Sequence, residues 1–370
     1  MSDSKDSISE DLSAIRNEID EVDVKLATLI SKRASLAKQI GDAKHSDAGS
    51  GVVEFYRPER EAQVLRAVAE RNEGPLENDE MVRLFREIMS ACRAYEEPLK
   101  VGYLGPEGTF TQSAVFKHFG HSVGALPLAT IEDVFHEVEN GAARFGIVPI
   151  ENSSAGMVNH TLDMFLASSL SICGEVEMRI RQHLLGKMKD PKDVLRVCAH
   201  PQALAQCRAW LAESLPNAEQ IPCSSNAEGA RRAKNEAGTA AIAGDSAADV
   251  YGLNVLVSNI EDSRDNTTRF LVIGHRIPPA SGDDKTTLII SAPNTDDAGS
   301  LHKMLKPFAS SNINMTRIES RPSHRRKWHY VFFIDIDGHA DDTNVCEALA
   351  KLESSAQLFR VLGSYPKAIL

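Results

Sequence analysis

The first forty-five residues carry an apolar pattern that a single helix cannot bury alone. Between residues 8 and 45, apolar side chains recur every three or four positions without any proline, at Leu12, Ile15, Ile19, Val22, Leu26, Leu29, Leu36 and Ile40. This spacing predicts one amphipathic helix, roughly 50 Å long at 1.5 Å per residue. Such a stripe needs partner helices or a second subunit to cover it.

The pattern changes twice further along the chain. Helical patterns at 58–73 and 78–97 complete an all-helical segment that ends near Pro98. From Lys100, short β-rich runs alternate with helical stretches over about 175 residues, which predicts an α/β domain with a mainly parallel sheet and room for two lobes. After a linker at 278–284, the order βαββαβ predicts a ferredoxin-like arrangement.

Composition excludes several classes of protein. The net charge of -11 argues against nucleic-acid binding by the whole chain. The polar, acidic start and the lack of any run of 18 apolar residues argue against a secretory signal and a membrane span. Six scattered cysteines without a CxxC pair predict reduced thiols in the cytoplasm, and the histidines form no metal-binding cluster.

Cations on the predicted long helix have two interpretations. Periodicity alone favours a solvated charged face for Arg16, Arg33 and Lys44. In combination with other motifs, however, these residues resemble the AroQ-type chorismate mutases over residues 8–97. The motifs are Leu12-x-x-Ile15-Arg16-x-x-Ile19-Asp20, Lys32-Arg33, Gly41-x-x-Lys44 and Arg57-Pro58-Glu59-Arg60-Glu61.

This resemblance implies the pericyclic conversion of chorismate to prephenate, which needs no nucleophile or base. The enzyme must hold the reactive conformer and stabilise negative charge on the ether oxygen, tasks that suit guanidinium and ammonium groups. The resemblance implies that Arg16 and Arg33 hold carboxylates and that Lys44 contacts the ether oxygen. Glu61 would bind the ring hydroxyl, and Arg60 would support the site.

The spacing of two of these cations predicts a dimer. Arg16 and Arg33 are seventeen residues apart, which corresponds to about 25 Å along one helix. Two side chains so far apart cannot grip one small molecule. We therefore expect Arg16 to reach into the pocket of a second subunit, whose helices would also cover the long apolar stripe.

Three positions depart from the family pattern. Arg57 stands where some members have an aspartate near the substrate hydroxyl, and Cys92, interpreted mainly as a packing residue, stands where a serine is sometimes found. By the same resemblance, Glu96 stands at the position that would face the ether oxygen, where glutamine is common in the family. A carboxylate helps there only when it is protonated. We therefore predict a raised pKa for Glu96 and a mutase activity that declines above it; a flat pH profile matched by Glu96→Gln would contradict this.

Three motifs of the α/β segment resemble prephenate dehydratases, from Lys100 to about Gly274. They are Gly105-Pro106-Glu107-Gly108-Thr109-Phe110, Val148-Pro149-Ile150-Glu151-Asn152-Ser153 and Asn266-Thr267-Thr268-Arg269-Phe270. The first motif could also be a tight turn before a helix, and Glu151 and Asn152 could serve only as caps. The resemblance implies a two-lobed fold like that of periplasmic binding proteins.

The dehydratase resemblance implies a substrate site without a cofactor. Thr268 would hydrogen-bond the leaving hydroxyl, since its own acidity is too low for proton donation as a free acid. Arg269 would anchor a carboxylate, provided that the backbone bends, because neighbouring strand residues point oppositely. His200 is interpreted as a structural residue rather than a base, and Ala199 replaces a usual serine. The other substrate-binding candidates are Thr109, Phe110, Glu151, Asn152, Ser153, Gln202, Gln206, Ser225, Asn226 and Phe270.

The C-terminal segment resembles the ACT domains that are attached to such dehydratases. The resemblance rests on Ala298-Gly299-Ser300-Leu301 and Glu319-Ser320-Arg321-Pro322, and it implies a phenylalanine site between paired copies. A module that only dimerises is the alternative. Glycine at position 299 would permit close approach of the backbone to a ligand.

Together these patterns predict a bifunctional enzyme of phenylalanine biosynthesis with mutase (8–97), dehydratase (100–276) and regulatory (285–370) domains. Its small-molecule partners would be chorismate, prephenate and phenylalanine, and it would form a homodimer or a higher homo-oligomer. Two alternatives stay open. The mutase segment could have drifted to a dimerising role, or the two-lobed domain could bind a carboxylate without reaction.

Overall fold

The computed structural model describes residues 3–48, 56–95, 98–292, 298–322 and 330–369. The helical segment consists of α1 Asp3–Ala48, α2 Pro58–Glu70 and α3 Asn78–Ala94. The predicted long helix is confirmed as α1. Its large apolar side chains are exposed, between 41% at Ile30 and 68% at Val24, so the stripe has no cover within a single chain.

A first α/β lobe follows, built on a six-stranded sheet in the order β2-β1-β3-β11-β5, with β4 paired to β3. Its elements are β1 Lys100–Leu104, α4 Phe110–Phe119, β2 Gly124–Leu128, α5 Ile131–Glu139, β3 Phe145–Asn152, β4 Gly156–Met157, α6 Asn159–Ala167, β5 Ser171–Arg179 and, much later in the chain, β11 Thr267–Gly274.

The second lobe is inserted between β5 and β11 and has a five-stranded sheet in the order β10-β6-β9-β7-β8. Its elements are β6 His183–Gly186, β7 Arg196–Ala199, α7 Pro201–Gln206, α8 Arg208–Ser214, β8 Glu219–Pro222, α9 Asn226–Asn235, β9 Thr239–Ala243, α10 Asp245–Tyr251 and β10 Asn254–Val257. The prediction of two lobes is therefore confirmed.

The expectation of mainly parallel sheets was wrong, since both sheets are mixed. Strand β11 runs antiparallel to β3 and β5, and β6 runs antiparallel to β9 and β10. The physical reason is the inserted lobe. Strand β3 ends at the boundary between the lobes, and β11 re-enters the first lobe from that boundary, so the two strands must run in opposite directions.

The C-terminal segment has the predicted βαββαβ order. Its elements are β12 Asp284–Ser291, α11 Ser300–Ser310, β13 Met315–Pro322, β14 Tyr330–Asp337, α12 Thr343–Ser355 and β15 Leu358–Pro366. We call its four strands, in the order β13-β14-β12-β15, the C-terminal sheet.

Both faces of the C-terminal sheet are covered. One face packs under α11 and α12, and the other shares a buried apolar cluster with the first lobe. At Gly363 a Cβ atom would lie 2.2 Å from the backbone oxygen of Ile172, so β15 approaches β5 at backbone distance. Across the described residues, no helix combines the length and the apolar character that crossing a membrane requires.

Candidate active sites

Three of the predicted motifs meet at one edge of the first-lobe sheet. Strands β1 and β3 are parallel neighbours, so residues 105–110, which follow β1, and residues 151–153, at the carboxyl end of β3, lie at the same edge. Strand β11 is antiparallel to β3 and starts at this edge, with Thr268 opposite Asn152. Edges formed by the carboxyl ends of strands are where α/β domains place ligand sites.

Thr268 and Asn152 form a buried polar pair at this edge. The Asn152 Nδ2 donates to Thr268 Oγ1 and to Asn266 Oδ1, at 2.8 Å each. The Asn152 Oδ1 accepts from the backbone amides of Ser154 and Ala155 at 3.1 and 2.9 Å, which fixes the orientation of the amide group. Within the described parts of the chain, the Thr268 hydroxyl accepts this bond and donates none, so its proton is available to a ligand.

The second lobe closes over the pair. Gln202 Nε2 lies 3.5 Å from Asn152 Oδ1, across the boundary between the lobes. His200 caps α7, where its Nδ1 accepts from the Gln202 amide, and its own amide donates to Asn226 Oδ1 at 2.9 Å. Ser225 caps α9. These contacts agree with a structural role for His200.

The loop after β1 also touches the second lobe. Thr109 caps α4 and donates to the Leu104 oxygen at 3.2 Å. Gly108 has φ +82°, and a Cβ atom there would lie 3.1 Å from the Tyr251 ring. The Phe110 ring packs against Gly244, where a Cβ atom would approach it to 2.6 Å. Glycine is therefore required where the two lobes meet.

Three further candidates, Ser153, Glu151 and Gln206, have partners within the protein. Ser153 binds the start of β11, since its Oγ accepts from the Thr267 amide at 2.9 Å. Glu151 pairs with Arg269 and Met157 in the sheet. Gln206 accepts from Gln182 Nε2 at 3.2 Å.

Arg269 and Phe270 do not line the cleft, which corrects the expectation for both. Phe270 is 2% exposed and belongs to the core between the sheet and α4. Arg269 points to the opposite face of β11 and binds Glu175 and Asp335. The reason is the alternation of side chains along a strand: the backbone does not bend enough to bring Arg269 to the same side as Thr268.

In the helical segment, a buried carboxylate lies among several cations. Glu61 is 7% exposed and accepts from Arg93 NH1 at 2.8 Å. Burial raises the pKa of Glu61, while Arg93, Arg86 and Arg33 oppose the increase. The guanidinium of Arg93 lies 4.7 Å from the centre of the Tyr56 ring. Of the predicted mutase residues, the structure thus brings Arg33 near Glu61.

The other predicted mutase residues are spread over the segment. Arg16 and Arg60 are exposed, and Arg33 and Lys44 are half-buried. Arg57 is exposed and binds Glu59 at 2.7 Å. Cys92 is buried, as expected of a packing residue. Glu96 lies outside the described residues.

The sequence interpretation missed two buried cations on α3. Arg86 and Arg93 are 9% and 8% exposed, on the same buried face as Val82 and Ser90. These four residues are spaced by four, four and three positions, which is a helical pattern. An arginine at a position that this pattern predicts to be buried indicates a carboxylate partner inside the protein.

The two C-terminal motifs lie at one edge of the C-terminal sheet. Strands β12 and β13 are both antiparallel to β14, so their carboxyl ends share an edge. The segment 298–301, which leads from β12 into α11, and the segment 319–322, which ends β13, therefore lie at the same end of the sheet. Gly299 has φ +81°. Arg321 NH2 binds both carboxylate oxygens of Asp163 in α6, at 2.6 and 2.8 Å.

Comparison with known proteins agrees with this organisation. Models of three families match: chorismate mutase type II at residues 15–97, prephenate dehydratase at 101–278 and the ACT domain at 286–354. The structure of prephenate dehydratase from Arthrobacter aurescens, in complex with L-Phe, is 38% identical, has a TM-score of 0.68, and covers 73% of this chain and 90% of its own.

Relatives with the complete arrangement are also similar. The bifunctional chorismate mutase/prephenate dehydratase of Pseudomonas aeruginosa is 52% identical, over 97% of this chain and 98% of its own length. The Aquifex aeolicus protein of the same name is 42% identical, over 98% and 99%. This chain therefore belongs to the family of bifunctional chorismate mutase/prephenate dehydratases.

Proposed function

We propose that the two activities of this chain act in sequence and under feedback control. The mutase rearranges chorismate to prephenate, the dehydratase converts prephenate to phenylpyruvate, and phenylalanine inhibits the enzyme. The observation that carries the dehydratase assignment is the buried Thr268–Asn152 pair at the edge of the cleft. The relatives with complete coverage support the two activities on one chain.

In the dehydratase reaction, prephenate loses its ring hydroxyl and a carboxylate, and the ring becomes aromatic. Electrons of the broken carbon–carbon bond enter the ring as carbon dioxide leaves, and the departing hydroxide takes up one proton from solvent to become water. A hydrogen bond to the leaving oxygen stabilises the negative charge that develops on it before that proton is taken up. The Asn152 amide binds the Thr268 oxygen at 2.8 Å and so directs the Thr268 proton towards the ligand. Thr268 thereby assists the leaving group.

In the mutase reaction, the chain supplies fixed charges rather than a base. Arg33 and Lys44 of one subunit and Arg16 of the other hold the substrate, which makes the enzyme a dimer. The exposed apolar stripe of α1 supports this, since helices of a second subunit would remove it from water. Arg93 holds Glu61 through a buried ion pair at 2.8 Å, and Glu61 binds the ring hydroxyl.

The effector site is the edge formed by residues 298–301 and 319–322. The start of α11 offers backbone N–H groups to a carboxylate, and Gly299 lets the ligand approach. The L-Phe bound to the Arthrobacter aurescens protein supports phenylalanine as the ligand.

One assay tests the whole assignment. Purified chain is given chorismate, and phenylpyruvate is followed with and without phenylalanine; the assay is then repeated with prephenate. We expect product from both substrates and less of it with phenylalanine. Product from prephenate alone would indicate a mutase segment that only dimerises. No product from either would indicate a binding protein.

A further inference from the structure

Alternate side chains of β11 face two different parts of the molecule. Thr268 faces the cleft, where it contacts Asn152. Leu271, on the opposite face, is buried in one cluster with Tyr365 of the C-terminal sheet. Arg269 shares the face of Leu271, so the residue next to Thr268 in sequence is in contact with the C-terminal sheet.

Every nitrogen of the Arg269 guanidinium is bound. Its Nε donates to Glu175 of β5 at 2.7 Å. Its NH1 donates to Asp335 of β14 at 2.6 Å, and its NH2 donates to the Tyr365 hydroxyl of β15 at 3.0 Å. One side chain thus joins the first lobe to two strands of the C-terminal sheet.

Asp335, which binds Arg269, is held by other residues of the C-terminal sheet. Asp335 is 0% exposed and also binds Arg317 at 2.9 Å and the Thr287 hydroxyl at 2.7 Å. Burial would raise the pKa of Asp335, but Arg269 and Arg317 outweigh that effect and lower it. The carboxylate therefore stays charged and moves with its sheet.

Thr268 and Arg269 lie together at the start of β11. The register between β11 and β3 shifts directly after Arg269, since Arg269 pairs with Glu151 and Phe270 pairs with Pro149. The extra residue, Ile150, interrupts the ladder at that point. Ile150 belongs to β3, so β11 itself is continuous and pairs with β5 without a shift from Thr267 to Val272. Arg269 is the direct neighbour of Thr268 in this strand, so its contacts with the C-terminal sheet act next to the residue that carries the hydroxyl.

We propose that Arg269 is a positioning residue through which the C-terminal sheet controls the place of the Thr268 hydroxyl. When an effector rearranges that sheet, Asp335 and Tyr365 shift the guanidinium, and the start of β11 moves with it. A misplacement of about 1 Å can lower a rate about a hundredfold, so a small shift is sufficient for inhibition. This inference rests on the proposed inhibition by phenylalanine.

The main test compares the full-length wild type with Asp335→Asn, which removes the charge at similar size. Phenylalanine affinity, measured by calorimetry, should stay within about threefold. Dehydratase activity at saturating phenylalanine should rise at least fivefold above that of the inhibited wild type. Inhibition equal to the wild type would overturn the proposal.

A second variant covers the case in which Asp335→Asn does not fold. That change leaves the Arg317 guanidinium without its carboxylate partner and leaves Arg269 with Glu175 alone. Tyr365→Phe removes only the hydroxyl that accepts from Arg269 NH2. It should weaken inhibition in the same direction, and an unchanged response would count against the pathway. The mutase activity of each variant reports whether the chain is folded.

Arg269→Gln separates positioning from substrate contact. The variant should lower kcat with prephenate at least tenfold, because the Thr268 hydroxyl loses its position. KM should stay within twofold, because the guanidinium faces away from the cleft and does not contact the substrate. A large rise in KM with unchanged kcat would place Arg269 on the substrate and overturn the proposal.

Arg360→Gln is the matched control for the loss of inhibition expected in Asp335→Asn. Arg360 NH2 also joins the C-terminal sheet to the first lobe, by donating to the Phe165 oxygen at 2.8 Å, but it does not touch β11. Inhibition should persist in this variant. If Arg360→Gln lost inhibition by phenylalanine to the same extent as Asp335→Asn, the whole interface between the C-terminal sheet and the first lobe would be responsible. That result would refute the specific route through Arg269. A wild type that turns over prephenate without responding to phenylalanine would overturn the effector assignment and this inference together.

Discussion

Thr268 and Arg269 are consecutive residues that serve different parts of the molecule. The threonine hydroxyl meets Asn152 in the cleft, and the guanidinium meets Asp335 in the C-terminal sheet. The sequence identified both residues as parts of one motif, 266–270, but their side chains lie on opposite faces of β11. The charge of Arg269 suggested a carboxylate partner, and the face of β11 on which it lies decided that this partner is Asp335 and not the substrate.

At this scale we predict that Thr268→Ala lowers dehydratase kcat by at least a hundredfold, consistent with the loss of a positioned hydrogen-bond donor. Thr268→Ser, which keeps the hydroxyl, should retain far more activity. Both are measured as phenylpyruvate formed from prephenate. The mutase activity of the same protein should persist, since Glu61 and Arg33 lie in another segment. Loss of both activities in a folded protein would contradict the separation of the sites.

The helical segment is attached to the first lobe by a small set of contacts around Tyr56. The Tyr56 hydroxyl lies 2.9 Å from His118 Nε2 in α4, and Arg93 of α3 donates to the Phe119 oxygen at 2.8 Å. Burial, together with Arg86 and Arg93, lowers the pKa of His118 to about 3. This attachment therefore depends on a histidine that stays neutral.

The consequence is a pH dependence of stability. The ordinary histidine pKa is about 6.5, so between that value and about 3 the unfolded chain binds a proton that the folded chain does not. Stability is full above the ordinary pKa and is lost as the pH falls. We expect a loss of about 1–2 kcal/mol from His118 at pH 5.

His118→Gln should therefore show a smaller decrease in melting temperature between pH 7 and pH 5 than the wild type, by several degrees. Calorimetry at both pH values measures it. His136→Gln is the control, because His136 is an exposed histidine of the first lobe, in α5. Parallel behaviour of His118→Gln and the wild type would remove His118 as the cause.

Elements with strong local signals were predicted with nearly correct bounds. The sequence predicts a strand from the β-rich run 196–199 and a helix from the pattern at 226–235, and both agree with β7 and α9 at both ends. The start of the helix was predictable because Ser225 is its cap. The direction of β11 was not predicted. It depends on where the chain returns from the second lobe, and no local pattern records that.

At the scale of the whole molecule, α1 is the element that a single chain leaves incomplete. Its apolar side chains are exposed, and Arg16 is far along the helix from Arg33. In a symmetric dimer each mutase site would combine Arg33 of one subunit with Arg16 of the other. In that arrangement the mutase reaction would require two subunits.

Complementation between two inactive variants tests this arrangement. Arg16→Ala and Arg33→Ala should each abolish most mutase activity alone. After coexpression in equal amounts, half of the dimers are mixed and have one intact site each, so about a quarter of the wild-type mutase activity should return. Dehydratase activity serves as the control for protein amount. No recovery in mixed dimers would place both arginines in sites of a single subunit.

The sequence by itself determined the long first helix, the three segments, the βαββαβ order of the last one and the motifs Glu151-Asn152 and Thr267-Thr268, because periodicity and short motifs are local properties. The tertiary structure alone decided that Arg269 leaves the cleft, that Arg93 holds Glu61, and that the sheets are mixed. The physical reason is that a strand has two faces. Which neighbour packs on each face depends on residues far away in the chain, and here Arg269 meets Asp335 only because the C-terminal sheet lies against the first lobe.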